Sequence, residues 1–483
     1  MASDHGSGSV VTDDAPVVLR SKDDVVQIVA SGRAVSQRSW LIVLIALGGV
    51  FIDAYDFTSL GIGVTQLKAQ FHLNPAQVGS VTAAMAIGTF VAAFFGGYYV
   101  DRVGRFKAFL LDLFFFIISA LLSALSPNLI WLLIFRFFMG VGVGLDFPVA
   151  LSFIAEFTAL KRRGATLNTW ILTWYVAATV GFLVVIPTYF IVGVDNLWRW
   201  AVGFGAVPAL IVLILRFMYM DESPLWAANT GNLQEAARIL RKTYGINAQV
   251  DPDYRAQKHH VALRDIAQVF APRYRQRTIL AVAISMTQSM EYYALNFYLP
   301  TISLLIFGNQ FIWALIGSAF FNLFGIVGGT LNFVFLPRWG VRRVAILGYI
   351  GGIVALVLIG GFGKALPVAL AGFGIALFIL SHGFGPGGAG MTTSALSFPT
   401  AIRGIGTGFT QSLLRVGSTM GFYFFPLLLA AVGLYPTLLL LAIVPFVGLL
   451  VTLVIKWDPV QQNINVDEEE AKPALEGVST GMA

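Results

Sequence analysis

The sequence predicts an all-α polytopic membrane protein, with twelve transmembrane helices in two pseudo-symmetric six-helix bundles. Three observations point there. Hydrophobic residues make up 57% of the 483 and charged residues only 12%, about half the charged share of a soluble domain. The apolar residues lie in runs of roughly 20 or more, each long enough to cross a bilayer as a helix. Those runs fall six and six around one long polar stretch, residues 221–277.

Residues 1–39 are mixed polar and read as a cytoplasmic tail; no apolar core precedes Trp40, so no cleavable signal is expected. Spans 1 to 6 are predicted near 40–64, 76–100, 107–126, 129–157, 165–191 and 199–219, forming an N-terminal bundle over 40–220. Spans 7 to 12 are predicted near 278–305, 310–335, 343–362, 366–395, 405–431 and 436–456, forming a C-terminal bundle over 278–457. The connector 221–277 contains one amphipathic helix: Asn232 can cap it, Glu235 stands at the third helical position, and Leu233, Ala236, Ala237, Leu240 and Tyr244 share a face. Gly245 is its expected stop. The end of the chain, 458–483, with the acidic run Asp467–Glu470, is expected to be a mobile tail.

Orientation follows from basic residues in the loops. One side carries Arg102, Arg105, Lys107, Lys161, Arg162, Arg163, Arg338, Arg342, Arg343 and Arg403; the other offers little beyond Lys68, Arg199 and Lys364. Both termini and the connector are therefore expected in the cytoplasm. The net charge of +6 then reflects basic loops on one membrane face and calls for no nucleic-acid partner. With no cysteine, thiolate metal sites, disulfides and a thiol nucleophile are excluded. No metal-ligand cluster or nucleophile–base spacing appears in the spans, so neither an enzyme nor a cofactor is expected.

Function is written in the charges that persist inside apolar runs, since each costs roughly 2.5–3.5 kcal/mol near a bilayer midplane. Asp53 and Asp56 lie mid-span in span 1, three apart and so on one face. Asp146 is mid-span in span 4, Glu291 in span 7, His382 in span 10 and Arg415 in span 11. Each alone could be a satisfied interhelical bond. Recurring in both halves, they favour a polar passage whose carboxylates take up and release protons. Asp146 is the first choice for proton carrier and Glu291 the second. Polar and aromatic stripes flank these charges: Gln288, Glu291, Leu295 and Tyr298 share a face of span 7 with Asn296 nearby, Trp170, Thr173 and Trp174 share one in span 5, and Gln411 and Arg415 one in span 11; Tyr55, Tyr292 and His382 are further candidate contacts. Aromatic walls with a few directional groups suit a small-molecule site; plain packing or an interfacial belt would also explain the tryptophans. Arg415 would either bind a substrate anion or neutralise an acid.

Glycines serve packing. Gly140 and Gly144, four apart, allow close helix approach. The run Gly383-Phe384-Gly385-Pro386-Gly387-Gly388 has the bare pattern of a dinucleotide fingerprint but follows no strand. A Pro-broken helix beside His382 is the better reading. Gly363-Lys364 lacks the flanking residues of a phosphate loop, so no ATP-driven engine is expected.

The loop after span 2, Gly97-Tyr-Tyr-Val-Asp101-Arg102-Val-Gly104-Arg105-Phe-Lys107, resembles the signature loop of the major facilitator superfamily. Its second-half counterpart, Pro337 to Arg343, keeps the glycine and basic residues but lacks the acid. Asp221-Glu222-Ser223-Pro224-Leu225-Trp226, Phe398 to Arg403, and Arg136 through Glu156 followed by Arg162-Arg163-Gly164 resemble the sugar-porter branch. The resemblance implies a conformational latch made by Asp101, Arg102, Gly104, Arg105, Glu156, Arg162 and Arg163. Asp53-Ala54-Tyr55-Asp56 and Gly142 to Pro148 resemble phosphate:proton and organic-acid:proton symporters and related bacterial metabolite transporters. That likeness implies proton coupling by Asp53, Asp56 and Asp146; Phe147 and Glu291 depart from the phosphate carriers' residues. The expectation is a monomeric inner-membrane transporter using the proton gradient, with no cofactor, to take up a small polar metabolite, an organic acid or a sugar-like solute. Proton-driven export of a drug or toxic metabolite is the alternative, and a membrane sensor that moves nothing is the rival from another class.

Overall fold

A computed structural model of the chain describes residues 16–30, 37–156, 160–254, 263–308, 310–398 and 403–460. The acidic run 467–470 lies outside those residues. Spans 1 to 5 are single helices: Gln37–Gln70, Pro75–Val103, Arg105–Ala124, Leu129–Glu156 and Leu160–Val192. Span 6 is Leu197–Phe204 followed by Ala206–Tyr219. Spans 8, 9 and 11 are Phe311–Trp339, Val341–Phe362 and Arg403–Val432. Span 10 breaks at Gly385 into Val368–Phe384 and Pro386–Leu396, as the glycine-proline run predicts, and span 12 is Leu434–Leu441 with Ile443–Val454.

Eleven of these twelve are, among the described residues, long and apolar enough to cross a membrane. Span 7 is the twelfth. It runs as Arg275–Leu295 and Leu299–Phe307, turning at Asn296–Tyr298. Gln288 and Glu291 lower its hydropathy below that of its neighbours because they face the protein interior, where both are buried.

Span 4 packs on spans 2 and 3, and span 1 on span 5; in the second half span 11 packs on span 7 and span 10 on spans 8 and 9. Spans 2 and 11, and spans 5 and 8, join the two halves. The span 2–span 4 seam needs glycine: a Cβ on Gly88 would collide with the Phe137 carbonyl, and on Gly140 with that of Met85. Backbones meet directly there, as the small-residue spacing predicts.

The connector helix is Leu233–Tyr244. The Asn232 side chain accepts from Glu235 N–H at 3.0 Å, and Gly245 turns left-handed at φ 69°. Its five apolar-face residues are all buried. Part of the N-terminal segment, read as a tail, is folded onto it. Val17–Leu19 pairs in parallel with Ala248–Val250, Arg20 meets Asp251 at 3.4 Å, and helix Lys22–Ala30 packs on Pro224–Asn229. Strands of three residues are too short to show a period-two pattern, which is why the sequence did not reveal them.

Candidate transport site

Spans 5, 7, 10 and 11 surround a small cavity of about 20 Å³, lined by Trp170, Trp174, Gln288, Tyr292, Tyr293, His382, Gln411 and Arg415 together with Ile171 and Leu414. Residues four apart on each helix supply it (170 and 174, 288 and 292, 411 and 415), which is the spacing that stacks side chains on one face. A space of that size holds no more than a water or two, so a metabolite must displace side chains to enter.

Directional groups are fixed by their neighbours. Trp174 Nε1 donates to Tyr292 OH at 2.7 Å, and Asn296 Nδ2 donates to the same oxygen at 2.7 Å. His382 stacks on Tyr292 with ring centroids 4.7 Å apart. Its Nε2 lies 3.0 Å from Gln288 Oε1 and its Nδ1 2.8 Å from Tyr175 OH. A carbonyl oxygen only accepts, so Nε2 carries the hydrogen and Nδ1 accepts from the tyrosine. Arg415 lines the cavity with Tyr293 and sits with Cζ 5.7 Å from the Phe57 ring centre. Gln411 differs: both its amide nitrogen and its oxygen are buried without a hydrogen-bond partner. A buried amide with unmet donors and acceptor is costly, and a bound solute would satisfy it.

Seven of the nine residues expected to contact substrate line this cavity. Asn296 stands behind Tyr292 as its hydrogen-bond donor. Tyr55 points elsewhere, its hydroxyl donating to the Ala201 carbonyl at 2.9 Å and its ring beside Phe204. That hydrogen bond ties span 1 to span 6, outside the cavity. Tyr175, Tyr293 and Leu414 line or support the site without having been singled out in the sequence; each is one position from a residue that was.

The four acids expected to couple protons are all buried but occupy three settings. Asp56 pairs with Arg136 of span 4 at 3.0 Å, both fully enclosed. Asp146 pairs with Arg216 of span 6, whose Nη1 also meets both oxygens of Asp112 in span 3, at 3.0 and 3.1 Å. Asp53 lies within electrostatic reach of Asp146, Arg415 and Arg216, and its Oδ2 has no hydrogen-bond partner. Glu291 stands apart in the second half, its Oε2 likewise unpartnered. Asp112 and Arg216 were not picked out in the sequence, and Arg136 entered only as the start of a motif. Asp112 sits in the first third of span 3 and Arg216 in the last turn of span 6, positions that read as interfacial until their partners are seen.

Of the latch residues, Gly104 and Arg105 are described in full. Gly104 has φ 107°, and a Cβ there would collide with the Glu222 carboxylate. That carboxylate accepts from the backbone N–H of Arg105 and Phe106 at 2.9 and 3.1 Å, capping span 3. Partial burial pushes the Glu222 carboxyl above its usual range despite these bonds. The side chains of Asp101, Arg102, Glu156, Arg162 and Arg163 lie outside the described part of the structure.

Twelve helices in two halves around a buried polar cavity define a secondary transporter of the major facilitator type, not an enzyme. The chain belongs to the family of sugar (and other) transporters, whose profile matches residues 41–459. It is 27% identical over 413 residues to the inner membrane metabolite transport protein YgcS of Escherichia coli K12, covering 85% of this chain and 89% of that one. It is 26% identical over 388 residues to the niacin transporter NiaP of Acinetobacter baylyi, covering 78% of this chain and 84% of that one. The fold resembles the xylose transporter XylE from E. coli in a partially occluded inward-open conformation, with TM-score 0.73, 18% identity, and coverage of 89% of this chain and all of that one.

Proposed function

We propose that the protein is a proton-coupled symporter of the inner membrane, working as a monomer with both termini cytoplasmic, that takes up a small polar metabolite. An organic acid is the first choice and a sugar-like solute the second. The observation that carries the reading is the placement of Arg415 and the unsatisfied Gln411 amide in one aromatic-walled cavity, with Arg415 in electrostatic reach of Asp53. A cation, an amide and ring faces are the groups that hold a carboxylate-bearing solute.

The same placement supplies a coupling route. A solute anion drawing on the charge of Arg415 leaves the Asp53 carboxylate less compensated, and a proton restores the balance. Anion and proton then bind cooperatively, each raising the affinity for the other by the same factor. The proton gradient is the energy source, and no bound cofactor is required. Relatives named for metabolite and niacin transport support a metabolite cargo; niacin carries a carboxylate on an aromatic ring, which suits such walls.

The test is a thermal-shift screen of purified protein against organic acids and sugars at two pH values. An organic acid that stabilises more at the lower pH supports the reading. Stabilisation by sugars alone, equal at both pH values, removes the acid and its linkage to protons.

A further inference from the structure

The geometry points to a proton-binding site in the N-terminal bundle, separate from the solute cavity, in which Asp112 and Asp146 share one proton beside Arg216. This deepens the symport reading by naming where the proton rests when the cavity is in the state seen here.

Three spans build the site. Arg216 is completely buried, and its guanidinium spans Asp112 of span 3 and Asp146 of span 4 while Nη1 also donates to the Phe109 carbonyl at 2.6 Å. Its Cζ lies 3.3 Å from the centre of the Phe109 ring, so the cation is held between fixed groups. The two carboxylates are therefore held on one guanidinium. Two carboxylates on one guanidinium carry one negative charge more than it cancels, and a proton held by either of them restores neutrality.

Charge balance gives the same answer. Among the described residues of spans 1 to 6 that sit deep in the bundle, Asp56 is matched by Arg136. Asp53 faces Arg415 from the other half, alongside Asp146 and Arg216. That leaves one guanidinium for two acids. The residues 75–95 of span 2 and 169–192 of span 5, which pack on spans 4 and 1, carry no charge. One surplus negative charge in a dry interior is prohibitive unless a proton cancels it.

Two further features mark the site as built for exchange. Asp146 Oδ2 is buried with no hydrogen-bond partner, as is Asp53 Oδ2. Gly49 of span 1 lies against the first of these: a Cβ there would collide with Asp146 Oδ2 and come within 2.7 Å of its carboxyl carbon. Asp53 is one turn further along the same face of span 1. The glycine therefore leaves a gap through which the carboxyl group of Asp146 faces span 1, and a proton received at Asp53, next to the cavity, has a path to the Asp112–Asp146 pair on the connector side.

The test needs no solute. Full-length protein in lipid nanodiscs is taken through a pH step and the protonated-carboxyl stretch is read by infrared difference spectroscopy for wild type, Asp112→Asn and Asp146→Asn. Each single amide leaves Arg216 with one carboxylate and so keeps a neutral pair, and both variants should fold with wild-type melting temperatures or higher. The expected result is that each variant has one protonated carboxyl fewer than wild type at neutral pH. An Asp221→Asn control, at the membrane surface, should keep the full signal. An unchanged band in both variants overturns the site and moves the proton elsewhere. If the band falls as expected but wild-type vesicles show no proton-driven flux, the shared-proton site stands and the symport reading fails.

Discussion

Arg136 and Asp56 are the pair whose removal should be felt most sharply, because neither has access to water and each neutralises the other at 3.0 Å. Breaking a buried pair by deleting one partner costs about 3–5 kcal/mol, whereas replacing both is much less damaging. Arg136→Met should therefore lower the unfolding temperature in detergent strongly, and the double change Asp56→Asn with Arg136→Met should recover most of it. Equal melting of the single and double variants would show that the two residues are not coupled. Individual acids of this kind are legible in sequence, since Asp53, Asp56, Asp146 and Glu291 stand out in apolar runs. Their partners are not: Asp112 and Arg216 belong to other spans, and only the packing of spans 3, 4 and 6 brings them to Asp146. The substrate stripe was legible where Trp170 and Trp174, or Gln411 and Arg415, are neighbours on one helix whatever the tertiary structure; of the face expected on span 7, Gln288, Glu291, Leu295 and Tyr298, only Gln288 reaches the cavity. Tyr55 shows the limit. It is next to Asp56 in sequence, yet its side chain points at Ala201 and Phe204 of span 6 and away from the cavity.

The connector helix Leu233–Tyr244 was readable from cap to stop because capping and amphipathic spacing are local. Its attachment is not local. Asp221 accepts from Lys242 Nζ at 2.7 Å and Arg238 Nη2 at 3.2 Å. Partial burial pushes the Asp221 carboxyl up, but these two hydrogen bonds outweigh it and hold it below the ordinary value of 3.8. Since folding lowers this pKa, the stabilisation is complete above the ordinary carboxylate range and fades as pH falls below it. The contribution is modest, up to about 1 kcal/mol for pairs this exposed. Asp221→Asn should speed hydrogen exchange in residues 233–244 at neutral pH, with the difference from wild type shrinking below about pH 4. A difference that persists undiminished in acid would assign the effect to something other than this carboxylate. Span 7 teaches the converse: its broken, polar course is visible as low hydropathy, but only the cavity explains why a membrane helix tolerates Gln288.

Across the whole molecule, the halves of the spans remote from the connector are closed on one another. Thr82 Oγ1 of span 2 meets Tyr298 OH of span 7 at 3.0 Å, and both groups reach the Phe422 carbonyl of span 11. Phe57 stacks on Phe422 with centroids 5.7 Å apart, and Ile62 of span 1, Phe182 of span 5 and Leu315 of span 8 belong to one apolar cluster. Gly61 permits this closure, since a side chain there would collide with the Phe297 carbonyl. Gly61→Leu should hold that side open. Because the chain has no cysteine, a single Ile171→Cys in the cavity wall can report on it. A membrane-impermeant maleimide added on that side should label the cysteine faster when Gly61→Leu is present, and equal rates would mean the contact is no gate. The two-bundle design itself was legible from six runs, a polar gap and six more; which side is shut depends on contacts between spans far apart in sequence.

The most direct measurement of the central claim, that buried carboxylates tie solute movement to protons, is uptake into reconstituted vesicles across an imposed inside-alkaline gradient. Wild type and Asp146→Asn would be run against a panel of organic acids and sugars. The expected result is gradient-dependent accumulation of an organic acid by wild type, abolished in Asp146→Asn while counterflow exchange of the same solute partly survives. Undiminished accumulation in the variant, or no gradient-dependent flux of any panel member through wild type, would contradict it.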